Sequence, residues 1–322
     1  MDSMPMGAVA EGIASIAMDG SVLDTWYPSP EVVDVSGLAP GTRRLGAADI
    51  PTRLLRLVYR DDDRQVEQVA VRTVISDLAA QPVDAHDVYL RLHLLSHRLV
   101  RPLEINLDQA MHLLTTVVWT NKGPCLPDNF EALRTSLRSR GIIHVYGIEK
   151  LPRMVDYVVP SGVIIAEAER VRLGAYLAPG TRVLREGYVS YNSGSLGAAR
   201  IEGRLASSAV VGEGCDIGLS SVVISTRRPS GARFPIEVGR DCHIGVSAGV
   251  NGISPGEACS IGPSIIIDPG THLYDVSLGQ VVTGRALDGQ SNWHVRREAG
   301  FDVPTVRWSK PWPQSRAGET AG

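Results

Sequence analysis

The chain has 322 residues, of which 43% are hydrophobic, and its 32 basic and 35 acidic side chains give a formal net charge of −3. That length accommodates roughly two domains with real cores, and the near balance of charge gives no footing for nucleic acid or an anionic membrane surface. No stretch reaches the ~18 consecutive apolar residues of a membrane-spanning helix. Cys125, Cys215, Cys242 and Cys259 contain no C-x-x-C pair, and the first residues show no leader pattern, so the cysteines read as reduced thiols of a cytoplasmic protein.

In chain order, "GIASIAMDGSVLDTWYP" holds two short alternating runs joined by Asp19-Gly20, a pairing suited to a tight hairpin. After the polar "RDDDRQVEQ", the run "AVRTVIS" reads as a further strand. "DAHDVYLRLHLLSHRLVRP" places Val88, Leu92, Leu95 and Leu99 on one face behind Asp84 as a cap, and predicts an amphipathic helix closed by Pro102. "NFEALRTSLRSRG" predicts a second helix on Phe130, Leu133 and Leu137 that stops at Gly141, and "IIHVYGI" a strand. His93 and His97 have the spacing of two zinc ligands on a helix, but "HLLSH" lacks the glutamate of the hydrolytic motif, so packing or solvent exposure is the expected role. Residues 1–150 are therefore expected to form an α/β domain.

From about residue 160 the pattern changes to a period of six. Ile165, Val171, Leu177, Val183 and Val189 form one block, followed by Leu205, Val211, Ile217 and Val223, then Val238, Ile244 and Val250, then Ile261, Ile267 and Leu273. Neither a helix nor an alternating strand keeps that period. It is the repeat of a parallel β-helix, in which each hexad makes one flat side and stacking buries the inner column. The breaks at "YNSGSLGAARIEG" and "STRRPSGARFP" are expected to be loops extruded from the prism. The second carries Arg227, Arg228 and Arg233 and reads either as a solvated loop or as one that reaches an anion. This domain is placed at 151–284, with a C-terminal segment at 285–322 whose Pro/Ser/Gly-rich end reads as disordered.

The stretches "DGSVLDTW", "VVWTNKGPC", "RVRLGAYLAPGT", "REGYVSYNSGSLGAARIEGR" and "GQSNWHVRR" together resemble the actinobacterial type of tetrahydrodipicolinate N-succinyltransferase, over about residues 10–300. The resemblance implies a left-handed parallel β-helix assembled as a homotrimer. It also implies transfer of succinyl from succinyl-CoA to an amine of a carboxylate-bearing acceptor in lysine and diaminopimelate biosynthesis. It makes Glu202 the catalytic carboxylate and places Arg204 against the acyl-CoA. Leu219, Val222, Val246 and Gly270 fall at further acyl-CoA positions, as do Thr283, Arg296 and Arg297. Glu169 and Glu186 fall at Mg²⁺ positions near the trimer axis.

A carboxylate at such a place either takes the proton of the attacking amine or attacks the thioester first, and the sequence leaves both routes open. The donor side departs from the family. Leu219, Ser220 and Val222 occupy a stretch that is glycine-rich in the family, Val246 stands for an alanine, Gly262-Pro263 for a Glu-Ala pair, and Thr283 for a lysine. The alternatives are therefore a paralogue acting on another amine or hydrazine, or a non-catalytic β-helix that binds a ligand.

Overall fold

The computed structural model describes residues 7–229 and 231–309; the expected disordered end, from Lys310 onward, lies outside the described residues. The chain forms two compact units. One comprises the residues up to Val159 together with Arg172–Gly174, and the other starts at Pro160. The break thus falls at 159/160, where composition placed it near 150.

The first unit mixes sheet and helix, with every strand pair antiparallel. The hairpin forms between Gly7–Ala17 and Val22–Trp26, and Gly20 supplies the positive φ of its turn. The long strand Val66–Ile75 lies beside the first of these. A smaller sheet joins Val117–Thr120 to Gly123–Cys125 and Val145–Glu149.

The helix Ala85–Ser96 starts as expected, with Asp84 Oδ1 accepting the Asp87 N–H at 2.8 Å. It is not amphipathic, however. Residues 87–96 are all buried, and the helix ends at His97, before Leu99 and Pro102. The polar positions tolerate burial because they satisfy one another: Arg91 Nε pairs with Asp87 at 2.6 Å, and its Nη1 reaches the carbonyls of Leu78 and Asn106. The second helix, Phe130–Leu137, buries Phe130, Leu133 and Leu137 as the spacing predicts.

His93 is a packing residue. Its Nε2 accepts the Tyr27 N–H, so its Nδ1 carries the proton and donates to Tyr89 O at 2.7 Å. Burial pushes its pKa down to about 3. A histidine held neutral in the fold binds fewer protons than in the unfolded chain. The stability it supports is therefore complete above about pH 6.5 and falls as the pH drops toward 3, by up to ~1.4 kcal/mol per pH unit. Urea unfolding of the wild type between pH 7 and 4.5 should show this loss, and His93→Gln should flatten it. The difference between the two proteins cancels the opposite contribution of Asp24, whose carboxyl burial raises.

The second unit is a three-faced parallel β-helix. The first face stacks Ile164–Ile165, Arg182–Val183, Arg200–Ile201, Asp216–Ile217, His243–Ile244 and Ser260–Ile261. The second stacks Tyr188–Val189, Arg204–Leu205, Val222–Ile224, Gly249–Asn251 and Ile266–Ile267. The third stacks Ala175–Leu177, Ser193–Ser195, Ala209–Val211 and Ile236–Val238. Every aliphatic of the six-residue repeat is buried except Ile165, which is half-buried. Cys215, Cys242 and Cys259 are buried free thiols in this unit, as is Cys125 in the first.

One of the two expected loops is not a loop. The stretch 190–203 is part of the prism: Ser193–Ser195 lies between two strands of the third face, and Arg200–Ile201 between two strands of the first. The period of six runs on through Ser195 and Ile201, both fully buried. It was masked because Ser195 is polar. Its hydroxyl meets that of Thr181 at 2.6 Å, which lets a serine occupy an aliphatic column. The other break, residues 225–235, is extruded as expected, between Val222–Ile224 and Ile236–Val238.

The C-terminal segment returns to the prism. Trp293–Arg296 pairs in parallel with Ser260–Ile261 and extends the first face, while Thr305–Trp308 links it to the hairpin His272–Asp275/Gln280–Thr283. Among the described residues no helix is long and apolar enough to cross a membrane.

Candidate functional site

The turn from the first face to the second is four residues long in four coils: 184–187, 218–221, 245–248 and 262–265. Between Ile201 and Arg204 it is two residues, Glu202 and Gly203. This shortening, not an insertion, shifts the repeat after Ile201. The backbone register shows what is missing. The N–H groups of Glu202, Gly218, Gly245 and Gly262 each bond the carbonyl one coil on, and the Arg204 N–H bonds Ser221 O. Glu202 is therefore the equivalent of Gly218, and Gly203 of Ser221. Leu219 and Ser220 have no counterpart in the coil of Glu202. The prism edge is notched there by one coil, about 4.8 Å high, with Arg185-Glu186 on one side, Leu219-Ser220 on the other and Glu202-Gly203 as its floor.

Only glycine fits at 203. A methyl group there would lie 2.2 Å from Ser221 Oγ, 2.7 Å from Ser221 O and 2.8 Å from Gly218 O.

The Glu202 carboxylate is held in place. Its Oε1 is 2.7 Å from Arg200 Nη2, and its side chain is 25% exposed, so it is ion-paired yet accessible. Arg200 Nη1 also bonds Asp216 Oδ1 at 2.9 Å, and Asp216 Oδ2 lies 3.3 Å from His243 Nδ1. A chain of polar contacts thus runs down the first face from Glu202 through Arg200 and Asp216 to His243. The bond to Asp216 leads in raising the Arg200 pKa above its ordinary value, and the Glu202 charge adds to it. Arg204, on the second face, lays its guanidinium carbon 4.2 Å from the centre of the Tyr188 ring.

Several sequence-predicted residues fall on one edge. Below Glu202, successive coils carry Leu219, Val246 and Pro263, and the Gly262 N–H bonds Val295 O, which sets Arg296 and Arg297 next in the column. Leu219 and Val246 are exposed. From Glu202 to Arg296 is four coils, about 19 Å at strand spacing. Arg204 and Val222 lie side by side on the adjoining second face.

Gly270 and Thr283 lie elsewhere, past the other end of that face. Gly270 sits in the turn Asp268–Thr271, where its N–H bonds Asp268 Oδ1, and Gly284, next to Thr283, bonds Thr271 O. Asp268 and Pro269 line a cleft of about 530 Å³ whose other walls are Ser225, Thr226, Phe234 and Asn251. Within one chain the two groups do not make one site.

Glu169 and Glu186 share an edge one coil apart, fixed by the bridge between Val171 and Val189. Glu186 lies 3.5 Å from Arg170 Nη2, while Arg170 and Arg185 both reach Glu167. Two carboxylate positions interleaved with two guanidinium groups fall short of the oxygen shell that Mg²⁺ takes. One copy of the chain does not hold the ion alone. Among the described residues no three of His, Cys, Asp and Glu converge as a metal site.

The sequence sets Arg200 beside Glu202 without assigning it a role, and Asp216 is not singled out there, although a signal for both exists. Once the hexad is carried through Ser195, Arg200 and Asp216 occupy the same outward position in consecutive coils of the first face.

A three-faced parallel β-helix built on hexads defines the hexapeptide-repeat class. Within that class the chain belongs to the tetrahydrodipicolinate N-succinyltransferase family. Residues 114–153, in the first unit, match the model of the family's middle region, "Tetrahydrodipicolinate N-succinyltransferase middle". A 2,3,4,5-tetrahydropyridine-2,6-dicarboxylate N-succinyltransferase of Pseudomonas aeruginosa is 40% identical over 234 residues, 71% of this chain and 67% of that one. The enzyme of the same name from Salinispora tropica is 47% identical over 207 residues, and the match spans 64% of each chain. A solved Campylobacter jejuni structure, described as a 2,3,4,5-tetrahydropyridine-2-carboxylate N-succinyltransferase, superposes with a TM-score of 0.77 over 94% of this chain and 92% of its own, at 22% identity. That likeness shows the fold.

Proposed function

We propose that the chain is a succinyl-CoA-dependent N-acyltransferase whose acceptor is the amine of tetrahydrodipicolinate, in lysine and diaminopimelate biosynthesis. The observation that carries this reading is the notched corner, which leaves one oriented carboxylate accessible at the head of an exposed edge. The ring imine of the acceptor takes up one water and opens to expose its amine, which attacks the thioester only once it has lost a proton; an amide bond forms and the CoA thiol is released. Glu202 either removes that proton or attacks the thioester first to give a mixed anhydride. Arg200 pairs with the carboxylate and fixes its direction.

The donor arm runs along the edge past Leu219 and Val246 toward Arg296 and Arg297. The Gly270–Thr283 edge completes the site from a second copy, because both edges belong to one prism and cannot face the same ligand within it. This supports a homotrimer of left-handed β-helices, in which the carboxylates of Glu169 and Glu186 from several copies converge on Mg²⁺. The place of action is the cytoplasm.

The test is product analysis. With succinyl-CoA and tetrahydrodipicolinate, mass spectrometry should detect the succinylated amine together with free CoA. Failure to form it, or an equal yield of acetylated amine from acetyl-CoA, overturns the assignment.

A further inference from the structure

We propose that Arg204, Arg227 and Arg233 form a carboxylate-binding cluster on the second face, which takes the anionic end of a reactant whose reacting atom lies at Glu202. This rests on the reading of Glu202 as the reacting carboxylate. Loop 225–235 leaves the prism at the end of Val222–Ile224, the strand that pairs in register with Arg204–Leu205. Its base is a small hairpin: Arg227 and Arg233 are antiparallel bridge partners, the Arg228 N–H bonds Ala232 O at 2.6 Å, and the Gly231 N–H bonds Arg228 O at 2.9 Å. Like charges set opposite each other across a strand pair are destabilising.

Among the described residues no carboxylate relieves that repulsion. Arg227 Nη1 bonds Gly231 O, Arg233 Nη1 bonds Ser225 O, and Arg204 stacks on Tyr188. Among the described residues none of the three is paired with a carboxylate. Arg170, Arg185, Arg200, Arg240 and Arg307 of the same unit all are. Burial first, and then the charges of Arg227 and Arg204, push the Arg233 pKa below its ordinary value. The nearby Asp268 spends its Oδ1 on Gly270 N and Thr271 Oγ1.

The shape of guanidinium groups matches carboxylate or phosphate oxygens. Position selects between the two. Arg204 is two residues from Glu202, whereas the phosphates of an acyl-CoA lie at the far end of its pantetheine arm. The ligand is thus the terminal carboxylate of the succinyl group or a carboxylate of the acceptor.

The double variant Arg227→Ala/Arg233→Ala tests this by calorimetry with two probes, succinate and pimelate. At least tenfold weaker binding of one of them is expected, while thermal stability is unchanged or higher because the repulsion is gone. Arg240→Ala, which removes an exposed paired arginine, should bind both probes like the wild type. In turnover, a raised KM for succinyl-CoA but not for butyryl-CoA identifies the succinyl carboxylate, and a raised KM for the acceptor identifies the acceptor. Unchanged binding and unchanged KM values overturn the cluster. Probe binding needs no chemistry, so a protein that binds dicarboxylates through these arginines yet transfers no succinyl group sinks the proposed function and leaves the cluster standing.

Discussion

Glu202→Gln is expected to fold like the wild type and to lose on the order of 10²–10⁴-fold in kcat. The amide keeps the volume of the side chain, and its oxygen still accepts from Arg200, so the ion-pair chain through Asp216 loses a charge but not its geometry. What goes is the ability to accept a proton or to attack a thioester. A merely structural Glu202 would give the reverse pattern, a lower melting temperature with near-normal turnover. Steady-state kinetics beside a thermal melt separates the two.

Gly203→Ala is expected to damage both stability and activity. The added methyl meets backbone oxygens of the next coil, at Ser221 and Gly218, and these cannot step aside without breaking the bonds from the Arg204 and Ser221 N–H groups. Overpacking of this kind costs about 1–3 kcal/mol. Relief by separating the coils moves the Glu202 backbone, and a displacement near 1 Å of a reacting group costs roughly 10²-fold in rate. A loss of activity larger than the fraction unfolded, measured well below the melting temperature, is the expected signature. Wild-type activity would show that the corner has slack.

Much of the architecture was legible because hexads leave a dense signal. Each inward aliphatic from Val171 to Leu273 is buried where the period places it. The reading failed at Ser195, where a satisfied hydroxyl replaces an aliphatic group, and from there a shortened corner was mistaken for an inserted loop. The helix Ala85–Ser96 misled for a related reason. Its Asp87 and Arg91 fall off the predicted apolar face, but they pair with each other inside the unit. Periodicity counts polar residues as exposed, and buried pairing is visible only once distant segments are brought together.

The site was legible in its parts but not in its grouping. "RIEGR" marked Glu202 and Arg204 through the family resemblance, yet what makes Glu202 accessible is the absence of two residues, which has no letter in the sequence. Arg296 joins the Glu202 edge because Trp293–Arg296 returns to the first face, while Gly270 and Thr283 fall on another edge. Strand order decided that division, and the period of six is silent about it.

Acceptor-dependent release of the CoA thiol from succinyl-CoA, measured for the wild type and for Glu202→Gln at equal concentrations of folded protein, is the most direct test of Glu202 as the reacting carboxylate. The expected result is release that requires tetrahydrodipicolinate, matches the succinylated amine in amount, and falls at least 10²-fold in the variant. Equal rates in the two proteins, or no acceptor-dependent release from the wild type, would contradict it.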